Sequence, residues 1–265
     1  MTCSNPITTL LQRAGVSGSF ARLCCILVAA GLASNSSADE PTRGPAGTPT
    51  TETTEERTNV DTTKPQGEAG PAVTMPGAGN LRSWRVVNAF VYDTHGDVEV
   101  LEDRIKLGAG KPGSALVIAQ EVPKMDYELA IDAMRTGESS DIFCGITAPF
   151  HDTHFTLVIG GWGGSVIGIS NVDHESAIEN ETTTSWDFVN DRWYRIRLRV
   201  TEESIEAWID DERAVKLDPR HRELSIWWEQ QPTRPLGIFT WKTSAAYCNA
   251  SIKSVKDVAS DKSGP

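Results

Sequence analysis

One loop of this chain concentrates the side chains that chemistry needs. Within residues 170–184, Asp173, His174, Glu175, Glu179 and Glu181 crowd into nine positions. Such groups could form an acid/base pair, or offer hard oxygen ligands to calcium. Their spacing matches no defined metal loop, so calcium is the one cofactor the loop suggests and none is demanded. An exposed acidic loop on a rigid scaffold is the competing reading. If the protein catalyses a reaction, Glu179 and Glu181 are the expected groups, with His174 next.

Immediately before that loop stands Phe155-Thr-Leu-Val-Ile-Gly-Gly-Trp-Gly-Gly-Ser-Val-Ile-Gly-Ile169. Two strand-like runs flank a tryptophan, Trp162, set among four glycines. Glycine weakens a strand, so the cluster implies a tight turn or the close approach of another group to the backbone. An aromatic face over a glycine floor suits the apolar face of a sugar ring; filling space over the glycines is the alternative. Gly161, Trp162 and Gly163 are therefore ligand-binding candidates, joined by Asn180 in the acidic loop and by Trp227. The pair Trp227-Trp228 either rims a concave face or packs under a loop. His151 and His154 sit beside Pro149 with a two-residue gap, which reads as a turn and not as a helical zinc motif.

The elements that must position these residues are short strands. From residue 84 onward, apolar runs rich in β-branched residues alternate with turn residues: 84–92, 98–101, 105–107, 115–119, 141–147 and the 155–169 hairpin. Residues 127–134 alternate in polarity, with Glu128, Ala130 and Asp132 on one face. The sharpest local expectation is a hairpin over 192–212 that turns at Glu202-Glu203. Folding it back pairs Val200 with Ile205, Leu198 with Ala207 and Ile196 with Ile209 on a buried face. Arg199 then faces Glu206, Arg197 faces Trp208 and Arg195 faces Asp210 outside. A slip by one residue would bury three arginines, so the register should be strongly fixed. Strands at 213–217, 236–243 and 247–253 complete the pattern. Many short strands without helical crossovers mean an antiparallel sandwich.

Composition bounds the partners. Over 265 residues, 36 acidic side chains outnumber 25 Lys and Arg, for a formal net charge of -11. Nucleic acid and anionic membrane require a cationic face, so neither is expected. Residues 1–38 read as an export signal, with Arg13 and Arg22 ahead of a short apolar core that is too brief to span a bilayer. Residues 39–80 are rich in Thr, Pro, Gly and Glu and read as a disordered spacer. The folded domain is expected over 81–257, with a flexible tail over 258–265. The mature protein would be secreted, or held in the periplasm or cell envelope. Of five cysteines, Cys144 and Cys248 lie in the folded region; a bridge between them and two buried thiols are both open.

Trp193-Tyr-Arg-Ile-Arg-Leu-Arg-Val, Ile205-Glu-Ala-Trp-Ile-Asp-Asp-Glu, Pro235-Leu-Gly-Ile-Phe-Thr-Trp-Lys and Asn249-Ala-Ser-Ile-Lys-Ser-Val resemble the concanavalin A-like jelly-roll. Within it, residues 82–256 are similar to the secreted bacterial 3-keto-disaccharide hydrolase domain family. The resemblance implies an all-β sandwich of two antiparallel sheets whose concave face meets a carbohydrate. For some members it implies cleavage of 3-keto-glycosides, in which a base removes the proton beside the ketone. The chain departs from the family at two places. No Arg occupies 142–147, and Thr156, Leu157 and Val158 stand where a Glu is usual. A non-catalytic glycan-binding module and an envelope adhesion or scaffold domain therefore stay beside the enzyme as expectations.

Overall fold

The computed structural model describes residues 70–138 and 141–255. The expected export signal, the spacer up to residue 69 and the tail lie outside the described residues. Two antiparallel sheets make up the domain. The first runs, in spatial order, β1 (Ala72–Thr74), β2 (Ser83–Val86), β5 (Gly113–Ile118), β14 (Gly237–Trp241), β7 (Gly145–Phe150), β8 (Thr153–Gly160), β9 (Val166–Ser170) and β10 (Thr184–Ser185). The second runs β13 (Glu212–Leu217), β12 (Ile205–Ile209), β11 (Tyr194–Val200), β6 (Tyr127–Arg135), β15 (Ala245–Ser254), β4 (Ile105–Leu107) and β3 (Val98–Val100). This is the expected all-β jelly-roll sandwich.

Apolar side chains from the two inner faces fill the space between the sheets. Leu116, Ile146, Leu157, Ile169 and Ile238 of the first sheet share one cluster with Ile131, Ile196, Leu198, Ile209 and Tyr247 of the second. Burial of this cluster supplies the main driving force, since each fully buried aliphatic side chain contributes roughly 1.5–3 kcal/mol. Two buried tyrosines also cross the interior. Tyr127 donates its hydroxyl to the Pro149 carbonyl at 2.8 Å, and Tyr247 donates to Phe143 at 2.5 Å. Burial pushes both phenols well above their ordinary pKa, so they stay neutral donors.

The β11–β12 hairpin has the expected register at every pair from Ile196–Ile209 to Val200–Ile205. Arg197 lies over Trp208 at 4.8 Å. The ion pairs, however, form with other strands. Arg199 reaches Glu128 on β6 at 2.7 Å, Arg195 reaches Asp132 on β6 at 2.9 Å, and Glu206 takes Arg213 on β13 at 2.8 Å. β11 sits between β6 and β12, and long guanidinium arms lean to the neighbour whose carboxylate completes a short, directed bond. Asp210 keeps the backbone contact, accepting from the Arg195 N–H at 2.9 Å, and gives its other oxygen to Arg192.

Elsewhere several boundaries move. The expected strand at 84–92 is a strand only to Val86; Phe90–Tyr92 forms a 3-10 turn. β1 lies inside the segment read as spacer, pairs with β2, and is followed by the buried Met75. Residues 228–233 form a second 3-10 helix that the alternation of the sequence does not announce. Cys144 is a free, buried thiol, so it does not bridge to Cys248.

Candidate functional site

Burial along the strands shows where the site must be. β11 and β12 alternate between buried and half-buried positions, as expected for a sheet with one face in water. β9 is buried at all five positions and β8 at its last six. Something therefore covers the outer face of the first sheet as well. The cover consists of the 90–92 turn, the 228–233 helix and the loop after β9.

Register lines the outer face up in rows. Gly237, Thr147, Thr156 and Ser170 face one another across β14, β7, β8 and β9. The next row carries Phe239, Gly145, Val158 and Gly168. Two glycines permit the covering. A Cβ on Gly145 would fall 2.2 Å from the Phe239 ring, and one on Gly237 would fall 2.5 Å from the Thr233 carbonyl. The Phe239 ring and the 228–233 helix thus lie directly on the sheet. Thr147 and Thr233 join their hydroxyls at 2.7 Å, tying that helix down.

Between these covers an open cleft of about 330 Å³ remains. Its floor is Thr156, Val158, Ser170 and Phe239, and its walls are Trp162, Trp227 and Trp241, with Glu229 and Gln230 reaching in from the 228–233 helix. Trp162 sits at the tip of the β8–β9 hairpin in the left-handed region, φ 47° and ψ 58°, with Gly160, Gly163 and Gly164 also at positive φ. A bulky residue in that region costs about 1 kcal/mol, and the glycines on either side absorb the rest of the turn. The result is an indole held out over the cleft, 44% exposed; Trp227 opposite is 47% exposed.

The cleft contains polar atoms without partners. Thr156 Oγ1 and Glu229 Oε2 are shielded from solvent and make no hydrogen bond. The Gln230 amide and the Tyr92 hydroxyl are neighbours that interact with each other, with Glu229 close to the same phenol. Each such group costs about 1–3 kcal/mol if left alone, and more when charged. His154 is on the same face of β8 as Thr156, two residues away, so about 6.6 Å along the strand. Its Nε2 also lacks a partner. Burial, with Arg234 and Lys124 nearby, lowers its pKa to about 4, so the ring is neutral at pH 7.

The residues expected from sequence divide into two groups. Trp162, flanked by Gly161 and Gly163, lines the cleft together with Trp227. The acidic-loop residues stand elsewhere. Glu179 accepts from both the hydroxyl and the N–H of Ser176, which holds its pKa below the ordinary value. Glu181 grips Arg222 through both oxygens, and Asp173 takes the same guanidinium together with the Glu223 N–H. These bonds lower both carboxyls, the Arg222 hydrogen bond leading for Glu181 and the Glu223 N–H for Asp173. His174 faces Glu223 at 3.4 Å in solvent. Asn180 is buried and spends its amide inside the loop, donating to the carbonyls of Ile169, Glu175 and Ser176 and accepting from Thr182. Among the described residues, no group of three or more His, Cys, Asp or Glu is arranged to hold a metal ion.

The loop nonetheless supports the cleft. Residues 171–173 pair with 223–225 through Asn171, Ser225, Asp173 and Glu223 backbone bonds, and that segment runs directly into Trp227. Nothing in the sequence marks Thr156, Ser170, Glu229, Gln230 and His154 as a group. They come from strands and a helix far apart in the chain, and only the apolar covering of a strand that should face water could have pointed to them.

No family model matches the chain, and no curated protein matches it in sequence. Among solved structures, the carbohydrate binding module CBM66 from Bacillus subtilis is similar at 10% identity and a TM-score of 0.43, covering 68% of this chain and 97% of that one. A glycosyl hydrolase family protein from Mycobacterium fortuitum is similar at 10% identity and a TM-score of 0.41, covering 68% and 96%. The exoplasmic/lumenal domain of VIP36 in its Ca2+/Man-bound form follows at 12% identity and a TM-score of 0.40, covering 66% and 88%. Likenesses at this level assign neither ligand nor activity. No helix among the described residues is long and apolar enough to cross a membrane.

Proposed function

We propose that this protein is an exported carbohydrate-binding module, with the cleft on the outer face of the first sheet as its sugar site. The observation that carries the reading is the combination of exposed indoles at Trp162 and Trp227 with shielded, unpartnered oxygens on Thr156 and Glu229 in one cleft. A pyranose presents an apolar face for an indole and equatorial hydroxyls for the polar atoms around it. A cleft of about 330 Å³ lies at the small end of ligand sites, about 300–1,000 Å³, and suits one end or a short segment of a glycan. A glycan array with the full chain, followed by titration of any hit against tryptophan fluorescence, tests the reading. Binding that quenches fluorescence and is lost in Trp162→Ala supports it; no glycan bound above background overturns it.

A second reading is cleavage of 3-keto-glycosides, favoured by the unpaired Glu229 oxygen in the cleft. That carboxylate could take the proton from the carbon beside the ketone; the C–H electron pair becomes a C=C bond as the C–O bond to the leaving sugar breaks, and the departing oxygen takes the proton from the carboxyl group. Incubation with a 3-keto-disaccharide and product analysis decides it. Turnover lost in Glu229→Gln but kept in Glu179→Gln and Glu181→Gln supports this assignment; the reverse pattern returns the chemistry to the acidic loop, and no turnover removes it.

A further inference from the structure

The polar atoms left unpaired in the cleft are not a neutral sample. Glu229 Oε2 is an acceptor and the Thr156 hydroxyl can both give and take. The Gln230 amide and the Tyr92 hydroxyl beside it serve one another, which leaves the Glu229 carboxylate as the group in need of a donor. Gln230 is itself 7% exposed and Thr156 2% exposed, so these are built-in walls of the cleft and not surface side chains that happen to lean inward. Among the described residues no Lys or Arg lines the cleft, and Glu229 is the charged side chain there. A ligand that satisfies this set must be rich in donors at the end that meets the 228–233 helix.

The aromatic walls push in the same direction. Trp162, Trp227 and Trp241 surround the cleft, and indole faces attract cations as well as sugar faces. A carboxylate among three indoles, in a protein of net charge -11, favours a positive group on approach and in place. A neutral sugar hydroxyl could bond to Glu229, but it would leave the charge on that carboxylate uncompensated in a partly dry site.

We infer that the cleft selects an amine-bearing sugar, its ammonium seated on Glu229 and its ring against the Trp162 and Trp227 indoles. The inference rests on the carbohydrate reading and narrows its ligand class. A sugar whose amine is acetylated loses the charge and one donor, and places a methyl group where the carboxylate needs a partner. A sugar acid brings a second negative charge to Glu229.

The test is titration of the full chain with three matched oligomers of equal length. One is a glucosamine oligomer with free amines, one its N-acetylated counterpart, and one a neutral glucose oligomer with the same linkage. Binding is read by tryptophan fluorescence and calorimetry at pH 6, where the amines are charged. The free-amine oligomer is expected to bind about ten- to a hundredfold tighter than either of the others, the range of one charge-assisted hydrogen bond. Glu229→Gln, a near-isosteric change, is expected to bring it down to the level of the neutral oligomer, with the melting temperature serving as the check on folding. Equal or tighter binding of the N-acetylated or neutral oligomer overturns this inference and leaves the sugar site standing. A preference for the free amine that survives in Glu229→Gln also overturns it, because the charge would then be read elsewhere. Binding of no oligomer at all, on the array or in solution, overturns the carbohydrate reading itself.

Discussion

The acidic loop starts directly after Ser170, which lines the cleft, and the two use their polar groups in opposite ways. In the loop, Asp173, Glu179, Glu181 and Asn180 are nearly all spent on Arg222, Ser176, Thr182 and backbone. In the cleft the polar groups are few, and Thr156 and Glu229 each keep a shielded oxygen without a partner. A dense set of titratable residues can be a structural brace, whereas a sparse set left unsatisfied under a cover is still open to a partner. The brace also has work to do: it pins 223–225, which leads to Trp227.

The sharpest way to break this contrast is Asn180→Ala. The change leaves the carbonyls of Ile169, Glu175 and Ser176 and the Thr182 N–H short of a partner at a buried position. A loss of about 2–4 kcal/mol is expected, read as a fall in melting temperature of roughly 5–15 °C. If Asn180 instead faced a ligand, stability would hold and affinity alone would drop. Trp162→Ala should do the converse. The indole is 44% exposed, so folding is expected to survive, while glycan affinity falls by on the order of 2 kcal/mol, about thirtyfold. A loss of stability without loss of binding would make Trp162 a packing residue.

The sequence shows some of this and hides the rest for physical reasons. The β11–β12 register is legible because alternation with a period of two leaves one arrangement that keeps three arginines out of the core. Their ion partners are not, because Glu128 and Asp132 arrive from a strand more than sixty residues away. Trp162 and its glycines announce a turn with an exposed aromatic, since local backbone conformation is written locally. Glu229 and Gln230 carry no such mark. Their importance comes from where they stand, an unpartnered Glu229 oxygen and a Gln230 amide at the cleft, which depends on a 3-10 helix of no detectable periodicity packing on β5 and β14.

His154 tests the covered face through pH. In the folded protein burial keeps its imidazole neutral down to about pH 4, whereas the unfolded chain takes up a proton below about pH 6.5. Between those values the unfolded state binds more protons, so stability falls as pH drops from about 6.5 to about 4 and His154 contributes nothing further below that. Solvent reaches the half-buried ring, which holds the effect to about 1 kcal/mol. His154→Gln is expected to flatten this part of the stability curve, measured as melting temperature at pH 7 and pH 4.5. An unchanged slope would mean that the ring titrates in the folded state as it does in water, and that the outer face of β8 is wetter than its burial indicates.

The smallest expected effect is at the groups most suggestive in sequence. In Glu179→Gln the side-chain oxygen can still accept from Ser176, so neither stability nor affinity should move measurably. In Glu181→Gln, Arg222 keeps Asp173 as its anion, and an exposed ion pair of this kind is worth at most about 1 kcal/mol. Glycan affinity should stay within about twofold in both, because neither carboxylate reaches the cleft. Arg222→Ala removes the shared guanidinium and frees the segment before Trp227, so it should weaken binding by a few fold where the single carboxylate changes do not. A larger loss in Glu179→Gln than in Arg222→Ala would reverse the contrast, making the loop the site and the cleft its support.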